Sequence, residues 1–237
     1  EMIVEDNTPR SAIAPLVEMR EVTKQFGSLT AVDRVDLDIY AGEVHAILGE
    51  NGAGKTTLMN VLTGLLKPDS GQIFLDGSDV SISSPRKALE LGIGIVHQHF
   101  RLVENFTAAE NLHLGWNETP RLAGNKDLID RTHTLAKQFN LDVEPNARIW
   151  QLSVGEQQRV AILRTLSRGA RILILDEPTA VLTPTEAERL FEMLRDLADS
   201  SNCAVIFISH KLDEVIAASD RVTVLRAGRR VSTLRTV

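Results

Sequence analysis

The sequence predicts an α/β fold built on a mostly parallel β-sheet. Two observations carry this prediction: short apolar runs typical of buried strands alternate with longer segments typical of helices, and turn residues separate them. Between about residues 99 and 169 the alternation stops, and helical segments follow one another through loops that contain proline or glycine. We therefore expect a core formed by about residues 16–98 and 170–237, with a helical insertion over about 99–169.

Each element follows from its own local pattern. Alternating apolar and polar residues, or a short apolar run, predict strands at 16–22, 35–39, 44–48, 72–75, 93–96, 171–175 and 204–208. Helical spacing closed by turn residues predicts helices at 55–66, from near 85, and at 108–114, 128–139, 154–167, 184–200 and 211–218. A hairpin is predicted around Ala227 and Gly228.

Composition excludes several classes of protein. The 237 residues carry a net charge of −6, which argues against a protein that coats nucleic acid through its overall field. No apolar run approaches the roughly 18–20 residues of a membrane-spanning helix. The lone Cys203 stands in an apolar stretch and is predicted to be a small buried hydrophobe. Residues 1–15 lack the pattern of a signal peptide and are interpreted as a loose leader.

The sharpest motif is a glycine-rich loop, GENGAGKT, between a predicted buried strand and a predicted helix. It fits G-x-x-x-x-G-K-[ST], in which backbone N–H groups and the helix N-terminus surround phosphates. The flanking strand and helix disfavour the alternative, a glycine-rich turn with an exposed lysine. Lys55 is predicted to reach the β- and γ-phosphates, and the Thr56 hydroxyl to ligate Mg²⁺. The predicted nucleotide-binding residues here are Gly49, Glu50, Asn51, Gly52, Ala53, Gly54, Lys55, Thr56 and Thr57.

Two carboxylates follow the apolar run ILIL, at the end of a strand where ligands bind in open α/β sheets. Asp176 is predicted to hold Mg²⁺, directly or through water, and Glu177 to orient and deprotonate an attacking water. For this segment alone, an acidic turn before Pro178 is the better interpretation. Together with the glycine-rich loop, the pair predicts a nucleoside triphosphatase site.

A third segment, LSVGEQQR, has a good structural explanation, because Ser153 and Glu156 form a capping box for a helix that begins at Val154. A capping box does not need Gly155, however, and glycine weakens the first turn of a helix. Glycine does permit close approach of the backbone to a ligand. The segment is therefore also a candidate for a second anion site.

The order of these motifs resembles the ATP-binding subunits of ABC transporters. The glycine-rich loop, Gln98, LSVGEQQR, ILILDEP and His210 follow one another as in that family, over about residues 16–235. The resemblance implies a P-loop NTPase (RecA-like) core with an antiparallel β subdomain and an inserted α-helical subdomain. It also implies a head-to-tail pair of ATP-binding domains. Each ATP, with Mg²⁺, then lies between the loop of one domain and the Ser153/Gly155 segment of the other.

Three further residues take their roles from the resemblance. Phe26 matches the aromatic residue that stacks on adenine, where tyrosine is commoner; a core aromatic is the alternative. Gln98 matches the loop glutamine that contacts Mg²⁺ and water and senses the membrane subunit. His210, within ISHKLDEV, matches the histidine that faces the γ-phosphate. No role is assigned to the other histidines, which are His45, His97, His99, His113 and His133.

The sequence departs from the family pattern at two positions. In the segment LSVGEQQR, Val154 stands where the family usually has a further glycine. This replacement is tolerable because Ser153 and Gly155 remain. Thr183 stands where the family usually has aspartate, and TPTE is a good capping box. We expect Thr183 to cap the following helix, which leaves open whether this loop connects the two sites of a pair.

The segments GIVHQHFRLVENFTAAENLHLG, SVGEQQRV and DEPTAVLTPTE are similar to the first half of tandem ATPases of carbohydrate and nucleoside importers. The similarity implies an ATP-hydrolysing importer subunit at the cytoplasmic face of the cell membrane. The implied partners are a second ATP-binding domain, membrane-spanning permease subunits and, indirectly, a solute-binding protein, but no nucleic acid. The chain is expected to be one half of a tandem ATPase.

Two other functions remain as alternatives. One is a soluble ABC-type ATPase that acts on nucleic acid or ribosomes, which the acidic balance and the lack of a long coiled-coil insertion disfavour. The other is a non-catalytic nucleotide-binding half of an asymmetric pair, which the presence of Glu177, Gln98 and His210 disfavours.

Overall fold

The computed structural model describes residues 4–5, 14–120 and 122–236; the predicted leader over 1–15 lies largely outside them. The strands are β1 (Val4–Glu5), β2 (Val17–Phe26), β3 (Leu29–Ile39), β4 (Val44–Leu48), β5 (Ser70–Leu75), β6 (Ser78–Asp79), β7 (Ile93–Val96), β8 (Ile172–Asp176), β9 (Ala204–Ser209), β10 (Arg221–Arg226) and β11 (Arg229–Arg235). The helices are α1 (Lys55–Leu62), α2 (Pro85–Glu90), α3 (Ala108–His113), α4 (Asn125–Gln138), α5 (Val154–Ser167), α6 (Pro184–Ser201) and α7 (Leu212–Ala218).

The larger sheet has the strand order β1-β11-β10-β4-β9-β8-β7. Strands β10, β4, β9, β8 and β7 are parallel to their neighbours, whereas β11 pairs antiparallel with β10 through the predicted hairpin. This arrangement confirms the predicted α/β core with a mostly parallel sheet. Strand β4 lies inside the sheet, so the loop that follows it is held by neighbours on both sides.

The smaller sheet is antiparallel, with the order β3-β2-β5-β6, and it confirms the expected antiparallel β subdomain. It lies against the loop after β4. The amide of Asp33 in β3 donates to the carbonyl oxygen of Gly228 at 2.8 Å, which connects this sheet to the β10–β11 turn. The end of β2 is thereby placed beside the glycine-rich loop.

Both faces of the larger sheet are buried, which explains the continuous apolar runs of its strands. In β8, Leu173 and Leu175 join the apolar cluster on the side of α5 and α6. Ile172 and Ile174 join the cluster on the side of α1 and the antiparallel sheet. A strand with apolar side chains on both faces shows no alternation, so the run ILIL is what such a strand requires.

The inserted α-helical subdomain of the expected fold lies between β7 and β8. Helix α3 packs on α4 and α5, and a short 3₁₀ turn, Ile149–Gln151, precedes α5. Among the described residues, no helix is long and apolar enough to cross a membrane.

Several predicted boundaries were wrong, each for a local reason. Helix α1 ends at Leu62 rather than 66, because Gly64 turns the chain with a φ of 69°. Helix α4 begins at Asn125 rather than 128, because the Asp127 carboxylate accepts from the Gly124 amide at 2.9 Å and stabilises an earlier start. The hairpin strands β2 and β3 are longer than predicted, because their polar ends still pair with each other up to Phe26.

Candidate nucleotide-binding site

The register of the parallel strands brings four predicted segments to one edge of the larger sheet. Leu48 at the end of β4 pairs with Ser209 at the end of β9, one residue before His210. Asp176 at the end of β8 pairs with Ile208 in β9. Strand β7 ends in the same register, two residues before Gln98. This carboxyl edge is where ligands bind in open α/β sheets.

The glycine-rich loop, here called the phosphate loop (residues 49–56), has a backbone that only glycine tolerates at its end. Gly54 has a φ of 99°, and a Cβ built on it would lie 2.4 Å from the carbonyl oxygen of Ala31. Gly54 is also the N-cap of α1 and supplies no side-chain cap. The amides of the first turn of α1 therefore remain available to an anion, and the helix dipole favours negative charge there.

Lys55 points back into the phosphate loop. Its Nζ donates to the carbonyl oxygens of Gly49 at 2.6 Å and Glu50 at 2.9 Å, and the residue is only 5% exposed. Burial lowers the pKa of Lys55, while the carboxylates of Glu177 and Asp176 act in the opposite direction. A desolvated cation at the centre of the loop is a fixed counter-charge for phosphate oxygens.

A cleft of about 460 Å³ opens beside the phosphate loop. This volume is within the range of small-molecule sites. Phe26 lies in the cleft at the end of β2 and is 46% exposed, so it is not a core aromatic. Its ring leaves a face available for stacking on a planar group. The cleft is lined by Phe26, Leu29, Thr30, Ala31, residues 51–57, Glu177, Ala227 and Gly228.

Glu177 and His210 meet at this edge of the sheet. The Nδ1 of His210 lies 3.1 Å from Oε1 of Glu177. Glu177 has a φ of 45°, a strained backbone region for a side chain of this size, and such strain concentrates at functional sites. Burial, and then the charge of Glu177, raise the pKa of Asp176, and Lys55 partly offsets them.

Gln98 lies with the two carboxylates. It lines a small cavity, with no room for a water molecule, together with Asp176, Glu177, Pro178 and the α5 residue Gln158. Sequence reasoning did not identify Gln158, which is 1% exposed. A signal was available, because Gln158 stands at helical spacing with apolar residues of α5, where a polar side chain needs a partner.

The structure places Ser153 and Gly155 in a different cleft from the phosphate loop. This second cleft, about 500 Å³, lies between α5 and α6. The predicted capping box is present: the Ser153 amide donates to Oε2 of Glu156 at 2.7 Å, and the Glu156 amide donates to Oγ of Ser153 at 3.3 Å. Within one chain, therefore, the two predicted ATP-contacting segments do not form a single site.

Thr183 caps α6 as expected. Its amide donates to Oε2 of Glu186 at 2.9 Å, and the Glu186 amide donates to Oγ1 of Thr183 at 3.4 Å. The Thr183 hydroxyl also donates to Oε2 of Glu186 at 2.8 Å, and the bonds from the Thr183 amide and hydroxyl lower the pKa of the Glu186 carboxyl. Pro184 occupies the first helical turn, where its missing N–H costs nothing.

The donor set at the carboxyl edge suits Mg²⁺ bound together with a phosphate. Among the described residues, no three His, Cys, Asp or Glu side chains converge to hold a metal ion by themselves. Mg²⁺ is usually held by one or two carboxylates, a few oxygen ligands and the substrate phosphates. Thr56, Asp176 and Gln98 supply a hydroxyl, a carboxylate and an amide oxygen.

The chain is similar in sequence to a known protein family and to two proteins named as import ATP-binding proteins. The family described as ABC transporter matches residues 32–180. A nucleoside import ATP-binding protein, NupA of Lactococcus lactis subsp. cremoris, is 50% identical over 92% of the chain and 43% of its own length. A glucose import ATP-binding protein, TsgD13 of Haloferax volcanii, is 45% identical over 94% of the chain and 46% of its own length. The chain thus spans about half the length of the curated relatives it matches.

Solved structures agree with this comparison. The cbiO1 protein of Clostridium perfringens, described as part of an ABC transporter complex, superposes with a TM-score of 0.83 at 28% identity, over 94% of this chain and 89% of that chain. A dimeric bacterial ABC transporter cassette, MJ0796, superposes with a TM-score of 0.78 at 27% identity, over 93% of this chain and 99% of that chain.

Proposed function

The chain belongs to the ABC transporter family of ATP-binding domains, and we propose that it binds ATP with Mg²⁺ beside the phosphate loop and hydrolyses the terminal phosphate. One observation carries the proposal: the strand register brings the phosphate loop, Glu177 and His210 to one edge of the sheet. Phe26 supports it, because it lies in the same cleft with an exposed ring that can stack on adenine.

In the proposed reaction, Glu177 accepts a proton from the water that attacks the γ-phosphorus. The new bond joins the water oxygen to phosphorus, the bond from phosphorus to the β–γ bridging oxygen breaks, and ADP and phosphate are released. His210 orients the carboxylate and faces the γ-phosphate, while Lys55 balances phosphate charge. Thr56, Asp176 and Gln98 would hold Mg²⁺, which supplies further neutralisation of the phosphate oxygens.

A second ATP-binding domain completes each site in this proposal. The phosphate loop and the Ser153/Gly155 segment lie in separate open clefts, so neither encloses a ligand by itself. In a head-to-tail pair, the Ser153 hydroxyl and the N-terminus of α5 from one domain meet the phosphates held by the other. The second domain is a second half of a tandem chain or another copy.

We further propose that hydrolysis drives import of a sugar or a nucleoside. The names of the related proteins support this class, and their sequences match along almost the whole chain. The corresponding assembly contains membrane-spanning permease subunits and acts with a solute-binding protein. The ATP-binding domain then lies peripherally at the cytoplasmic face of the membrane.

The test is ATP hydrolysis by the full-length protein, with and without the membrane protein that co-purifies with it. We expect hydrolysis that requires Mg²⁺ and is lost in Glu177→Gln. We also expect uptake of a sugar or nucleoside by vesicles that contain the assembled complex. Unchanged hydrolysis in Glu177→Gln would contradict the assigned base. Stimulation by nucleic acid or ribosomes, without any effect of the membrane protein, would contradict the importer function.

A further inference from the structure

A buried glutamine connects α5 to the end of β8. Gln158 is 1% exposed, and its Nε2 donates to the carbonyl oxygen of Pro178 at 3.1 Å. Within the described part of the chain, its Oε1 is buried and has no hydrogen-bond partner. A buried amide that is only half satisfied costs folding free energy, because its unpaired oxygen has lost contact with water, so its presence calls for an explanation.

The orientation of this amide follows from its partner. The carbonyl oxygen of Pro178 is only an acceptor, so the nitrogen of the Gln158 amide must face it, and Oε1 must face away. Gln158 lines the same small cavity as Gln98 and the two carboxylates, Asp176 and Glu177.

The segment held by Gln158 is the one in which Glu177 is strained. Glu177 has a φ of 45°, and it immediately precedes Pro178. The turn after β8 is also closed by the Ala180 amide, which donates to the carbonyl oxygen of Glu177 at 3.2 Å. A strained backbone persists only where its surroundings fix it. The hydrogen bond from Gln158 is a tertiary restraint on this turn, from a different element.

We propose that Gln158 is a positioning residue for Glu177: it holds the turn after β8 so that the carboxylate stays beside His210. This inference rests on the proposed hydrolysis of ATP. Ser153 is the N-cap of the same helix, so α5 carries both a predicted contact to the ATP of the paired domain and the restraint on Glu177. One helix therefore carries both the proposed ATP contact at Ser153 and the hydrogen bond that positions Glu177.

The test compares two substitutions in α5 of the full-length protein. Gln158→Leu keeps the side-chain volume and removes the donor to Pro178. Thr165→Val is the matched control, because it removes a buried hydroxyl that donates to the carbonyl oxygen of Ala161 at 2.9 Å, distant in sequence from Ser153. We measure kcat and KM for ATP, ATP affinity, and the midpoint of thermal unfolding. If Gln158→Leu does not fold, the flexible Gln158→Met takes its place.

For Gln158→Leu we expect kcat to fall about tenfold, with KM and ATP affinity within about twofold, since only the base is displaced. Thr165→Val should change only the unfolding midpoint. In a Glu177→Gln background, where turnover is already lost, Gln158→Leu should leave ATP affinity unchanged. Normal kcat in a folded Gln158 variant, or a loss of ATP affinity in the Glu177→Gln background, would overturn the positioning role. Absence of hydrolysis in the unsubstituted protein would instead overturn the proposed function.

Discussion

At the scale of single residues, the site holds one buried and two half-buried charged groups, which are Lys55, Asp176 and Glu177. Burial lowers the pKa of Lys55 and raises that of Asp176, and in each case the opposite charge partly offsets the cost. Glu177 contributes to both effects, since its charge favours ionised Lys55 and disfavours ionised Asp176. The carboxylates thus neutralise the Lys55 ammonium only in part, and its hydrogen bonds go to two neutral carbonyl groups of the loop. Phosphate oxygens are stronger partners, because they carry charge.

Replacement of Lys55 tests this arrangement directly. Lys55→Ala should weaken ATP binding by about a hundredfold, about 3 kcal/mol, because the phosphates lose charge-assisted hydrogen bonds, and it should abolish turnover. Lys67→Ala is the control, since Lys67 is exposed in the turn after α1. ATP affinity is measured by titration calorimetry on both variants. Near-normal turnover in a folded Lys55→Ala protein would remove the phosphate loop from the mechanism.

At the scale of elements, local signals predicted the structure best. Helix α5 begins and ends as predicted, and α6 starts where its capping box requires, because a cap depends on residues only three positions apart. The phosphate loop and Glu177 were identified because each follows a buried strand, whereas His210 was identified from the family resemblance. The contact of Gln158 with Pro178 and the φ of Glu177 depend on packing between distant segments, which one sequence does not reveal.

The capping boxes of α5 and α6 allow a matched comparison of two substitutions. Ser153→Ala and Thr183→Ala each remove one N-cap hydroxyl and should each lower the free energy of unfolding by about 1 kcal/mol. Only Ser153→Ala should also impair ATP-dependent pairing and turnover, because Ser153 is additionally a proposed phosphate ligand. Urea unfolding and steady-state turnover separate the two effects. Equal turnover in both variants would leave Ser153 with a capping role alone.

At the scale of the whole molecule, the first prediction concerns where the proposed membrane subunit binds. Arg164 in α5 donates to the carbonyl oxygens of Phe100 at 3.0 Å and Arg101 at 3.2 Å, which fixes the loop after Gln98 against the helical insertion. A partner that moved this loop would therefore also act on α5. A partner helix in the groove between the core and the insertion would contact residues 101–104.

Cross-linking tests this docking site. Val103 is 37% exposed, and a cysteine there should capture the membrane subunit in the native complex. Val231→Cys is the control, because Val231 is 62% exposed on β11, far across the sheet from β7. The native Cys203 does not interfere, since it is buried and burial raises the pKa of its thiol to about 12. If neither Val103→Cys nor a cysteine at a neighbouring position cross-links to the membrane subunit, the partner binds elsewhere.

The last prediction concerns pairing of the ATP-binding domains. If Ser153 and Gly155 complete the site of another domain, the isolated chain has only half of each site. It should be mainly monomeric and a poor ATPase, and its specific activity should rise with protein concentration. Glu177→Gln keeps the size and hydrogen bonding of the side chain but removes the base, so ATP should close the pair without being consumed.

Light scattering on this variant, with Mg²⁺-free ATP and then with ADP, should detect a dimer with ATP that dissociates with ADP, because ADP lacks the γ-phosphate that the Ser153/Gly155 segment is proposed to contact. Specific activity that does not change with concentration, in a strictly monomeric protein, would refute the shared site. A protein that hydrolyses ATP in the assembled complex but gives no trapped homodimer would instead indicate that its natural partner is a different second domain. In that case each site joins unlike halves, and mixing the two halves should restore both the trapped pair and turnover.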